Sequence, residues 1–105
     1  MSQVTNVILT TASYEHAIDA VNEFLRNADG GGHGEFIEVT KHADGTKAMG
    51  CAVYLSAFNY ADSDTILRAV DHQAPWTDRE WVQVFVMEED EGVFRLRYSG
   101  GSIIG

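Results

Sequence analysis

Two stretches with helical spacing, each enclosed by apolar runs of strand character, restrict the fold of this 105-residue chain more than any other feature. In the first, the apolar residues fall at Tyr14, Ala17, Ile18, Val21, Phe24, Leu25 and Ala28, a single stripe of an amphipathic helix. Glu15, Asp19, Asn22, Glu23 and Arg26 take the water side. Ser13 is the expected N-cap, with Glu15 well placed in the first turn. Asp29-Gly30-Gly31-Gly32 ends the helix, since glycine adopts the left-handed conformation a C-cap needs. The second helix is shorter. It starts at Asp62 or Ser63, presents Ile66, Leu67, Val70 and Ala74, and is closed by Pro75.

The surrounding runs read as strands. Residues 4–10 are rich in β-branched side chains. Residues 35–41 partly alternate polar and apolar, as a half-exposed strand does. Ala43-Asp44-Gly45-Thr46 is a hairpin-type turn. Residues 48–58 are almost continuously apolar, which predicts a central strand. Residues 81–87 form another buried-looking run, and residues 93–98 alternate. The order β-α-β-β-α-β-β predicts an α+β fold: a ferredoxin-like two-layer sandwich with two helices on one face of a five-stranded mixed sheet, in strand order 5-4-1-3-2. One domain is expected over residues 1–99, with residues 100–105 as a flexible C-terminal tail.

Charge narrows the partners. Sixteen Asp plus Glu against seven Lys plus Arg give a formal charge of −9. Such a field repels nucleic-acid phosphates and anionic membranes and favours a protein partner with a basic surface; the same charge also serves solubility alone. No basic-then-apolar leader opens the sequence, and no apolar run approaches the roughly 18 residues of a membrane span. The expectation is a cytoplasmic protein without direct nucleic-acid or membrane contact. Cys51 is the single cysteine, so no disulfide forms within these residues, and its apolar neighbours predict a small buried hydrophobe.

Chemistry-bearing patterns are scarce. Phosphate-cradling glycine loops follow a strand and open a helix, whereas Gly30-Gly31-Gly32-His33-Gly34 follows a helix, so it reads as a flexible connection. His16, His33, His42 and His72 lack the paired spacing of zinc sites, although His42 or His72 with an acidic residue is left open as a composite site. Cys51 is expected inside a strand, and no glycine-framed nucleophile elbow is present. Asp62 and Asp64 read as helix caps. No catalytic residue, metal ligand or cofactor is assigned.

Binding candidates are clearer. Glu88, Glu89, Asp90 and Glu91 form the densest charge run, either an ordinary solvated turn or a prong for Lys and Arg. Asp78 and Glu80 extend that negative edge. Trp76, in a connection, either tucks beneath the sheet or stands out as a contact anchor. Arg95 and Arg97 protect an edge strand or pair with the preceding carboxylates. Because helices cover one sheet face only, the other is expected to be apolar, a surface for self-association or for a partner.

Thr5-Asn6-Val7-Ile8-Leu9-Thr10 and Ser56-Ala57-Phe58-Asn59-Tyr60 resemble stretches in small uncharacterised proteins of actinobacterial phages. The resemblance spans about a tenth of the chain and carries no functional motif. It implies a protein of the bacterial host cytoplasm acting during infection. Together these readings predict a small acidic non-catalytic binding protein, a phage-encoded inhibitor or modulator of a basic host protein. The alternatives are a homo-oligomeric structural or assembly protein, and a small-ligand sensor or enzyme by analogy with other ferredoxin-like folds.

Overall fold

A computed structural model describes residues 4–32, 34–43, 45–47 and 49–105. The chain runs β1 (Val4–Thr11), α1 (Ala17–Asn27), β2 (Ile37–Glu38), a 3-10 turn (Thr40–Ala43), β3 (Ala52–Asn59) and α2 (Ser63–His72). It continues through a second 3-10 turn (Arg79–Trp81), β4 (Gln83–Glu88), β5 (Arg95–Ser99) and β6 (Ser102–Ile103). The result is an α+β fold with a six-stranded sheet in the order β2-β3-β1-β4-β5-β6.

Every neighbouring pair in that sheet is antiparallel, where a mixed sheet was expected. Each helix returns the chain so that β1 runs with β2, and β3 with β4. A strand of opposite sense separates each of those parallel partners, so no parallel ladder forms. The sixth strand is the second departure. The segment expected to trail turns back through Gly100 and Gly101, both with positive φ, and adds β6 to the sheet edge.

Register assigns the two faces. In β1, Thr5, Val7, Leu9 and Thr11 are buried, opposite Phe58, Ser56, Tyr54 and Ala52 of β3. Val86 and Val84 of β4 continue that face, and Tyr98 of β5 completes it. The buried residues of both helices, Ile18, Val21 and Leu25 with Ile66, Leu67 and Val70, join these in one core. Fully buried branched side chains of this kind are each worth about 1.5–3 kcal/mol, which fixes which face the helices take.

Local departures have visible causes. Helix α1 starts at Ala17, with His16 at the N-cap position and no side-chain cap, rather than at Ser13. The Ser13 carbonyl instead accepts the Thr11 hydroxyl at 2.6 Å. Asp62 does cap α2, its Oδ1 accepting the Asp64 N–H at 3.0 Å. Asn22, expected to face water, is buried: its side-chain amide pairs with both backbone groups of Phe36, at 2.7 and 3.1 Å. Strand β2 is cut to two residues because the Thr40 hydroxyl, not a ladder carbonyl, accepts the Val53 N–H.

The glycine-rich connection is tightly packed. A Cβ on Gly31 would lie 2.4 Å from the Leu25 carbonyl oxygen, and one on Gly32, at φ +72°, 2.8 Å from the Phe58 Cβ. His33 lies outside the described residues, as does Asp44 of the expected hairpin turn.

Candidate interaction surface

The uncovered sheet face is built from the alternate residues of the central strands. Asn6, Ile8 and Thr10 of β1 lie beside Val53, Leu55 and Ala57 of β3 and beside Gln83, Phe85 and Met87 of β4. Leu96 of β5 sits opposite Phe85, and Ile37 of β2 opposite Leu55. None of these side chains is ionised, on a chain of net charge −9. Several are well exposed, Ile37 at 59% and Leu55 at 40%.

A depression of about 600 Å³ has Asn6, Ile8, Leu55 and Ala57 as its floor, Ile37 and Val39 on one side and Phe94 on the other. Phe94 precedes β5, yet it reaches back over the sheet to the β1–β3 pair. The wall is therefore supplied by the β4–β5 hairpin, and Phe94 itself is 42% exposed. Asn6 is held by its own neighbour strand, donating from Nδ2 to the Met87 carbonyl at 3.3 Å.

The four carboxylates of that hairpin are not equivalent. Glu88 accepts the Thr5 hydroxyl at 3.2 Å, and Glu91 accepts the Glu88 N–H at 3.1 Å while pairing with Arg95 at 2.9 Å. Glu89 and Asp90, at the turn, are exposed and make no such contact among the described residues. Arg97 pairs with Asp64 of α2 at 3.5 Å, tying β5 to the helical layer.

Trp76 takes the buried one of its two expected placements. It is 8% exposed, and its indole N–H donates to the Val70 carbonyl at 2.7 Å. It forms part of the core and offers no surface. Nor do Asp78 and Glu80 extend the acidic hairpin. They precede β4 while the hairpin follows it, and the six residues of that strand hold the two groups about 20 Å apart.

The segment around Trp76 is fastened by a residue that sequence reading placed at a helix start. Glu15 is buried, and its two carboxylate oxygens accept the N–H groups of Thr77 and Asp78 at 2.8 and 3.0 Å. Its own N–H donates to the Tyr54 hydroxyl at 3.3 Å. A second latch joins Arg79, Asp71 and Tyr98. The guanidinium donates to the Asp71 carboxylate at 3.2 Å and to the Tyr98 oxygen at 3.0 Å, and that hydroxyl donates to Asp71 at 3.1 Å. Burial raises the ionisation of both Tyr54 and Tyr98 above the ordinary tyrosine value, so each stays a neutral hydroxyl. No single sequence signal joins these groups, since their members lie up to 63 residues apart.

Cys51 sits just outside β3 and is half-buried, not within the strand as expected. It borders a shallow depression with Trp81, which is 61% exposed in its 3-10 turn. His72 lies 3.3 Å from Asp71, and His42 is exposed. Among the described residues no three His, Cys, Asp or Glu side chains converge as a metal site requires, and no buried side-chain polar atom lacks a partner. No helix among them is long and apolar enough to cross a membrane.

Comparison with protein-family models, with curated proteins and with solved structures returns no match, so the residues themselves carry the functional reading.

Proposed function

We propose that this chain is a non-catalytic interaction protein that seats a partner of basic surface on its open sheet face. One observation carries the reading: an apolar, charge-free groove whose Phe94 wall begins three residues after the acidic hairpin turn. The apolar floor supplies the anchor, as exposed patches of this kind do at interfaces. Glu89 and Asp90 add attraction for Lys and Arg during approach, an effect on association rate that salt weakens. Two β-α-β units, each split by a strand of the other, support reading the architecture as ferredoxin-like. The likeness of residues 5–10 and 56–60 to phage proteins adds a setting, in which the partner is a basic host protein that this chain inhibits or modulates.

A second reading has its own support. Because the face bears no ionised side chain, two copies of like charge can meet across it without opposing charges. Its main strands are five to eight residues long. At about 4.8 Å spacing they span on the order of 500 Å² in projection, near the low end for a stable dimer at roughly 1,000 Å² in total.

The test compares two variants for capture of basic proteins from a bacterial lysate. Leu55→Asp is expected to abolish capture, whereas the double variant Glu89→Lys with Asp90→Lys slows association and flattens its salt dependence. Capture indifferent to both changes overturns the reading. Loss of a wild-type dimer in Leu55→Asp, with no basic partner at any salt, favours the second.

A further inference from the structure

The helical layer carries a separate groove on its outer side, about 590 Å³, between the C-terminal half of α1 and one face of α2. Phe24 and Ala28 form its apolar wall, and Thr65, Arg68, His72 and Gln73 line the opposite side. Phe24 belongs to the apolar stripe of α1 yet remains 36% exposed, its ring bordering the groove instead of the core. The volume lies within the roughly 300–1,000 Å³ range of small-molecule sites.

Arg68 gives the groove its chemistry. Among the described residues, the other four arginines each pair with a carboxylate: Arg26 with Glu35, Arg79 with Asp71, Arg95 with Glu91 and Arg97 with Asp64. Arg68 has only one bond, from Nε to the Asp64 carbonyl at 3.3 Å. Asp64 stands four residues before it and Asp71 three residues after, the spacings at which helical ion pairs form. Arg97 has taken Asp64, and Arg79 and His72 have taken Asp71. The terminal nitrogens of Arg68 are therefore left for an outside acceptor, on a molecule where carboxylates outnumber basic residues by more than two to one.

From this arrangement we infer that the groove binds a small organic monocarboxylate with a flat apolar body. The guanidinium fork matches a carboxylate in a two-point contact, and the Gln73 amide adds a polar group at its edge. The body lies along Phe24 and Ala28. Asp29, also on the groove, and the net charge of −9 oppose a multiply charged head, which favours a single carboxylate over a phosphate ester.

The experiment titrates the full chain with phenylacetate, phenyl phosphate and neutral phenylacetamide, following the Phe24 ring and Arg68 Nε–H resonances. Phenylacetate is expected to give saturable shifts at both residues and to bind about tenfold or more tighter than phenylacetamide. In Arg68→Gln, a surface change that keeps the remaining spectrum, that advantage disappears, while Arg26→Gln retains it. Equal responses to phenylacetate and phenylacetamide, or an unchanged response in Arg68→Gln, overturn the inference. Preferential binding of phenyl phosphate overturns the assignment to a monocarboxylate.

Discussion

At the start of β4 the chain carries Trp76, Asp78, Glu80 and Trp81; at its end it carries Glu88, Glu89, Asp90, Glu91, Val93 and Phe94. Both ends thus combine aromatic bulk with carboxylates, and they meet different ends. The first is bolted down: Glu15 holds its backbone, Val70 receives the Trp76 indole, and Arg79 grips Asp71 and Tyr98. The second leaves Glu89 and Asp90 in water and lays Phe94 on the open sheet face. Local composition does not separate the two. What separates them is how far the rest of the molecule supplies polar partners: helix α2 and Glu15 hold the backbone and the indole at one end of the strand, whereas at the other Thr5 and Arg95 engage only Glu88 and Glu91 and leave the turn and Phe94 without such bonds.

Aromatic truncation is the strongest way to break this contrast. Trp76→Ala is expected to lose about 3–5 kcal/mol of stability through the lost apolar burial and the cavity together, whereas Phe94→Ala costs under about 1 kcal/mol, because its ring is already half in water. Denaturant titration of the two variants checks the pair. Comparable losses would mean that the Phe94 wall is structural. Glu15→Ala is the intermediate case. It leaves the N–H groups of Thr77 and Asp78 without acceptors, at a cost of about 1–3 kcal/mol, and speeds their hydrogen exchange while the hairpin amides stay unchanged.

The smallest effect concerns pH. Tyr98 ionises less readily folded than unfolded, so the unfolded chain loses the proton first as pH rises. Its hydroxyl contributes fully below the ordinary value of 10.0, and that contribution fades above it. Tyr98→Phe is expected to flatten the fall of stability above about pH 10, and Tyr54→Phe to do the same. Thermal melts between pH 8 and 11 measure the slope, and identical slopes in wild type and variants refute the linkage.

Periodicity made much of the fold legible. The stripe of Ile18, Val21 and Leu25, the Asp62 cap and the apolar character of β1 and β3 are local signals, and each led to the right element and to the order of the first five strands. The misses involve distant partners. Asn22 reads as a water-facing residue until Phe36 arrives to pair with it, and Ser13 reads as a cap until Thr11 claims its carbonyl. The expected anchor Trp76 is consumed by the core, while Phe94, one apolar residue in an alternating strand pattern, carries the groove wall. The open face followed from counting layers: two helices cover one side of a sheet, and the apolar residues of the other side have nowhere else to go.

Strand β1 has a consequence for how the molecule is made. It lies at the centre of the sheet, between strands contributed by residues 52–59 and 83–88. Thr5 finds the Glu88 carboxylate across a separation of 83 residues. During synthesis β1 therefore emerges before either of its flanking strands, and one of its edges stays unpaired until residues 83–88 exist. Closing such distant pairs makes folding slow relative to a helical chain of equal length and exposes the strand to wrong pairing meanwhile. Chains ended before β4 are expected to aggregate in the producing cell, since β1 then keeps one bare edge and half of its apolar cover.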